Sequence, residues 1–219
     1  MRITSLIILL TSLVTLAFFS LSPVTHAIEG TFEVKSTDLM PEKPEGYPIA
    51  TVAGGCFWCV ESEFRVLPGI LHTRVGYIGG KTENPTYQDI TTGTTGHAEA
   101  VEITYDPKKI TYTALIEFFL TKAHDPTQLN RQGVDVGTQY RSAIFYHDDE
   151  QKKIAENLIK SVDNRNIYGT KVVTKVSPAT TFWLGEDYHQ QYYEKYEEKN
   201  GEIHPRVFFK KKMKQLKGG

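Results

Sequence analysis

With 219 residues, 40% of them hydrophobic and 23% charged, the chain has the make-up of one ordinary globular domain with a sizeable core, which excludes a disordered or fibrous protein. A formal charge of −1 gives no general electrostatic reason to expect a nucleic-acid partner. The cysteines, Cys56 and Cys59, are too few for a finger-like zinc site, and a bridge between them would close a loop too small to add much stability.

Residues 6–21 form an apolar run that follows Arg2 and ends near Thr25-His26-Ala27, the pattern of a secretory signal peptide over residues 1–27. Thr11, Ser12, Thr15 and Ser20 interrupt the run, and its length is near the lower limit for a bilayer span of roughly 20 residues. The expectation is therefore cleavage and export, to the periplasm, with an uncleaved membrane anchor as the rival. Residues 28–48 read as a flexible lead-in, residues 49–207 as one domain, and residues 208–219, rich in lysine, as a solvated basic tail.

Within the domain, residues 49–53 are a short apolar run that stops at Gly54-Gly55. From there Phe57, Val60, Phe64 and Leu67 recur at helical spacing until Pro68-Gly69. Residues 71–77 and 98–105 alternate like strands, and Tyr112, Leu115, Ile116, Phe119 and Ala123 mark a helix. A further helix starts near Asp148, with Ile154, Ala155, Leu158, Ile159 and Val162 as its apolar stripe, and residues 172–176 read as a strand. The predicted class is α+β with mixed order.

The chemistry concentrates in Gly54-Gly55-Cys56-Phe57-Trp58-Cys59. The glycines permit a sharp turn, and Cys56 falls at the amino-terminal end of the predicted helix, where free amides and the helix dipole favour a thiolate. Cys59, three residues on, shares its side of the helix and can act as a resolving thiol; the spacing alone equally fits two inert thiols or a small clip. Phe57 and Trp58 are either core or the wall of a pocket for a small apolar group. Glu99 shares a strand face with Val101, Ile103 and Tyr105, which predicts burial, a raised pKa and proton donation at neutral pH; the alternative is a carboxylate at a strand end that reaches solvent.

Tyr87 follows a turn at Asn84-Pro85-Thr86, and Asp135 and Tyr140 belong to a segment that leads into a strand-like run; from spacing alone all three fit structural turns. His97, His124 and His189 lack a metal-ligand pattern and read as supporting residues, and Tyr188, Tyr192 and Tyr196 as one packing stripe.

Taken together, Gly-Cys-Phe-Trp at 55–58, Asn-Pro-Thr-Tyr at 84–87, Gly-His-Ala-Glu at 96–99 and Gly-Thr-Gln-Tyr-Arg-Ser at 137–142 closely resemble the A-type peptide methionine sulfoxide reductases, from about Ile49 to Tyr193. The resemblance implies a mixed-sheet two-layer sandwich, ferredoxin-like in character, that needs no cofactor or metal and works as a monomer. It also implies reduction of the S epimer of methionine sulfoxide, free or in peptides and proteins. Cys56 would attack the sulfoxide sulfur, Phe57 and Trp58 would hold the substrate methyl, and Glu99 would supply a proton to the oxygen. Tyr87 and Tyr140 would hydrogen-bond that oxygen, and Asp135 would orient the substrate backbone. Many relatives place resolving cysteines in a glycine-rich tail; here the tail is charged and no cysteine follows Cys59. Either Cys59 resolves the sulfenic acid or an external thiol does, a thioredoxin-like protein or a small thiol. Two other classes fit part of the pattern: an exported Cys-x-x-Cys thiol-disulfide oxidoreductase and a non-catalytic binding module.

Overall fold

The structure is a computed structural model that describes residues 42–205. The expected signal peptide, most of the lead-in and the basic tail lie outside the described residues. In chain order the elements are β1 (Ile49–Gly54), α1 (Phe57–Arg65), β2 (Ile70–Ile78), α2 (Tyr87–Thr91), β3 (Ala98–Tyr105), α3 (Tyr112–Phe118), β4 (Arg131–Gln132), β5 (Asp135–Val136), β6 (Ser142–Tyr146), α4 (Asp149–Asn164), β7 (Lys175–Pro178), β8 (Trp183–Leu184) and α5 (Tyr192–Asn200). Six strands make one sheet in the order β7-β6-β1-β3-β2-β8, and β4 and β5 form a separate small hairpin.

The four inner strands pair antiparallel throughout, so β1-α1-β2-β3-α3-β6 is the split β-α-β arrangement of ferredoxin-like folds. Helix α4 then returns the chain to lay β7 parallel to β6. The strand expected over residues 172–176 starts later, at Lys175. Before it, the Val172 N–H is taken by Asp163 Oδ1 at 2.9 Å and the Val173 N–H by the Pro126 carbonyl at 2.8 Å, so these amides serve loop contacts and not the ladder.

The helices cover one face of the sheet. Phe57, Val60 and Phe64 of α1, Leu115 and Ile116 of α3, and Ala155 and Val162 of α4 pack on Val52, Val75, Val101, Ile103 and Ile144. Phe64 is wholly enclosed there, and Phe64→Ala should cost about 3–5 kcal/mol. Every residue of β3 is buried, because its other face is covered too. Ala98 and Ala100 meet Ala53, Ile78, Ala143 and Phe145, with Phe182 packed against them, while Glu102 is paired with Lys43 at 3.1 Å and Arg74 at 2.8 Å. Alternation along β3 thus sorts residues between two interiors, not between core and water.

Two local features aim the first turn of α1. Helix α3 runs on into a π-helical turn, Phe119–Ala123, whose Phe119 carbonyl accepts the His124 Nδ1–H at 2.9 Å. A Cβ on Gly54 would lie 2.9 Å from the Phe119 and His124 rings, and Gly55 adopts φ +99° with Gln132 where its Cβ would be. One glycine gives space and the other gives the left-handed turn, and together they let β1 end directly beneath α1.

Candidate active site

Cys56 is the N-cap of α1, with its carbonyl accepting the amides of Cys59 (3.0 Å) and Val60 (3.2 Å). Its side chain does not cap the helix. The free Phe57 amide instead donates to Glu99 Oε2 at 3.1 Å, so the positive end of α1 is directed at the carboxyl of β3. Glu99 is 2% exposed, buried as its place on the strand predicts.

Seven side chains line one cavity of about 110 Å³: Cys56, Phe57, Trp58, Tyr87, Glu99, Asp135 and Tyr140. Four separate elements converge on the first turn of α1 to form it. Tyr87 is the first residue of α2, Glu99 stands at the start of β3, Asp135 comes from the β4–β5 hairpin and Tyr140 from a 3-10 turn, Thr138–Tyr140. At about 30 Å³ per water-sized group, the cavity has room for the end of one side chain. Helix α2 is short and is held by a capping box, in which the Thr86 hydroxyl accepts the Asp89 amide and Asp89 accepts the Thr86 amide. Cys59 is half-buried beside the cavity and does not line it.

The expected thiolate at Cys56 is corrected by its surroundings. A hydrogen bond to Cys59, then burial, then the nearby charges of Cys59 and Glu99 hold the Cys56 thiol well above the ordinary range. The helix end that was to stabilise the anion is already engaged with Glu99. Burial, followed by the charge of Glu99, also raises the phenols of Tyr87 and Tyr140, so both stay protonated and able to donate. Among the described residues no group of three His, Cys, Asp or Glu side chains is placed to hold a metal ion.

Residues that the motifs did not single out fix the pocket wall. The Trp58 Nε1–H donates to His189 Nδ1 at 3.1 Å, and because indole only donates, His189 carries its proton on Nε2. Burial pushes His189 down to about 4, keeping it neutral in this role. Glu186 accepts the Tyr77 hydroxyl at 2.7 Å and the Tyr87 amide at 2.8 Å, which ties α2 to β2. His97, the other ring near this end of the sheet, holds a loop through the Gly80 amide and the Thr82 carbonyl. Tyr188, Tyr192 and Tyr196 do not form one stripe. Tyr188 is 57% exposed in a 3-10 turn, and Gln191, at φ +47°, breaks the helical phase before Tyr192 stacks on Trp58 with ring centroids 3.8 Å apart.

A buried thiol, a buried carboxyl and two protonated phenols around one small cavity, on a ferredoxin-like sheet, are the arrangement of a thiol-dependent enzyme. Residues 48–218 match the family described as peptide methionine sulfoxide reductase. The chain is 52% identical over 149 residues to a peptide methionine sulfoxide reductase MsrA of Methanothermobacter thermautotrophicus, covering 68% of this chain and 88% of that one. It is 50% identical over 146 residues to the MsrA of Geobacter sulfurreducens, covering 67% and 90%. Its structure is similar to methionine sulfoxide reductase A of Corynebacterium diphtheriae (TM-score 0.61, 36% identity, 74% and 79% covered). It is similar also to Mxr1 from Saccharomyces cerevisiae in reduced form (TM-score 0.65, 34% identity, 74% and 90% covered). The chain belongs to the A-type peptide methionine sulfoxide reductase family, and it is an oxidoreductase of methionine sulfoxide.

Proposed function

We propose that this enzyme reduces the S epimer of methionine sulfoxide, free or within peptides and proteins, with Cys56 as its nucleophile. The observation that carries the reading is the convergence of Cys56, Glu99, Tyr87 and Tyr140 on a single cavity of about 110 Å³ walled by Phe57 and Trp58. The two rings offer an apolar surface for the substrate methyl, and the carboxyl and phenols face the place where a sulfoxide oxygen would lie. Asp135, which lines the same cavity from the hairpin, is the group we assign to accept the backbone amide of the substrate residue.

The hydrogen bond to Cys59, burial and the neighbouring charges, that of Glu99 among them, keep Cys56 in its thiol form. In this reading Glu99, in the same cavity, passes a proton to the substrate oxygen as the Cys56 sulfur attacks. The Cys56 sulfur bonds to the sulfoxide sulfur as that oxygen is protonated; the oxygen's bond to the substrate sulfur then breaks as it bonds to the Cys56 sulfur, and the transient sulfur–sulfur bond breaks to release methionine and leave Cys56 as a sulfenic acid. Two electrons have passed from Cys56 to the sulfoxide. Cys59 then condenses with the sulfenic acid to give a disulfide and water, and a thioredoxin-like protein or a small thiol reduces the disulfide. The apolar run at residues 6–21 supports export to the periplasm, with a reductant in that compartment.

The test is incubation of the protein with a racemic methionine sulfoxide peptide and dithiothreitol, with both epimers resolved by chromatography. The expected result is consumption of the S epimer alone, abolished in Cys56→Ser. Consumption of the R epimer, or of neither epimer by folded protein with free thiols, would overturn the proposal.

A further inference from the structure

Four consecutive residues at the start of α5 each meet a residue of α1. The Gln191 amide and side chain donate to Glu61 at 3.0 and 3.1 Å, Tyr192 stacks on Trp58, the Tyr193 hydroxyl lies 3.1 Å from Cys59 Sγ, and Glu194 pairs with Arg65 at 2.8 Å. The seam pins the helix that bears both thiols. Tyr193 is 5% exposed, its ring packed by His204 at 4.9 Å, so its hydroxyl is fixed against the sulfur.

We propose that Tyr193 is the positioning residue of the resolving step, its hydroxyl donating to Cys59 so that this sulfur is held ready to attack the Cys56 sulfenic acid as a thiolate. The inference rests on the reading of Cys59 as the resolving thiol. A phenol is a much stronger donor than a thiol, so the 3.1 Å contact runs from oxygen to sulfur. Cys56 shares a hydrogen bond with the same sulfur, so Cys59 meets both the nucleophile and the phenol. A donor aimed at a sulfur favours its charged, attacking form. In the step itself, the Cys59–Cys56 sulfur–sulfur bond forms and the sulfur–oxygen bond of the sulfenic acid breaks. The oxygen departs as water with the proton that Cys59 gave up. Cys59 is oxidised and the sulfenic sulfur reduced, and no further reactant enters.

The experiment mixes wild type, Tyr193→Phe and Cys59→Ser with one equivalent of methionine sulfoxide in the absence of reductant. Released methionine, dimedone-trapped sulfenic acid and the internal disulfide are followed by rapid quench and mass spectrometry across a pH series. The phenylalanine keeps the ring and its packing, so methionine release within twofold of wild type shows that the site is intact. Disulfide formation should slow about tenfold or more, with sulfenic acid accumulating and the pH profile of that step displaced to higher pH. A structural role for the ring would move neither the split between the two steps nor that profile. Disulfide formation at the wild-type rate and pH dependence in Tyr193→Phe would overturn the proposal while leaving Cys59 as the resolver. If wild type behaves like Cys59→Ser and forms no internal disulfide, the reading of Cys59 falls and the proposal falls with it.

Discussion

Two buried polar clusters flank α1, and they are finished in opposite ways. At its first turn, Cys56, Glu99, Tyr87 and Tyr140 surround an open space, and the phenols line it with their protons in place. A little over one turn along, Glu61 is just as deeply buried, yet it is closed in by three donors: the Thr73 hydroxyl at 2.9 Å, the Gln191 amide at 3.0 Å and the Gln191 side-chain amide at 3.1 Å. Both clusters contain a carboxyl on the inner side of the same helix. The difference teaches that burial of a carboxyl does not by itself mark chemistry: in one cluster the polar groups close on one another, in the other they line a cavity.

If that contrast is right, damage to the first cluster should remove activity and spare stability. Cys56→Ser should abolish sulfoxide reduction, with methionine release in a single turnover below detection. Glu99→Gln keeps the shape and an acceptor for the Phe57 amide but removes the proton donor, so kcat should fall on the order of 10²–10⁴-fold with little change in melting temperature. Tyr87→Phe and Tyr140→Phe should each lower kcat/KM roughly tenfold, the loss of one hydrogen bond to a developing charge, and the double variant should fall short of the product of the two if both donate to one oxygen. Steady-state kinetics with each variant would check these values, and unchanged kinetics in both single variants would remove the phenols from the mechanism.

The two clusters also differed in how visible they were beforehand. The helical repeat of Phe57, Val60 and Phe64 and the alternation of Glu99 with Val101 and Ile103 follow from burial periods of 3.6 and 2, so α1, β3 and the placement of Cys56 and Glu99 could be read directly from spacing. Tyr87, Asp135 and Tyr140 could not, because they sit on a five-residue helix, a two-residue strand and a 3-10 turn, where no period exists; only their motifs drew attention to them. Glu61 was legible and went unread: four residues after Phe57 and three before Phe64, it lies on the buried stripe. Glu186, His189 and Tyr193 carried no local signal, since their partners lie 99 to 134 residues away in the sequence. The thiolate expected at Cys56 failed for a related reason: helix position was local, while the competing claim of Glu99 on the Phe57 amide spans 42 residues.

The smallest effect should come from the closed cluster, as a slope in stability against pH. Burial raises Glu61 to about 7 despite its three donors. A carboxyl whose folded pKa stands above its unfolded value stabilises most below pH 4.5, and that contribution is lost as pH rises to about 7, on the order of 3 kcal/mol across the window. His189 works in the other direction. Depressed from 6.5 to about 4, it favours the fold above pH 6.5 and loses that contribution as pH falls toward 4. In wild type the two slopes oppose each other over nearly the same range. Glu61→Gln removes one of them and faces the Gln191 amide with a second donor, so the variant should be less stable at low pH, by about 1–3 kcal/mol, with the gap to wild type closing as pH rises from 4.5 to 7. Denaturant midpoints measured across that range would show it. A gap that stays constant with pH would mean that Glu61 does not titrate there and that its three donors, not its burial, set its charge.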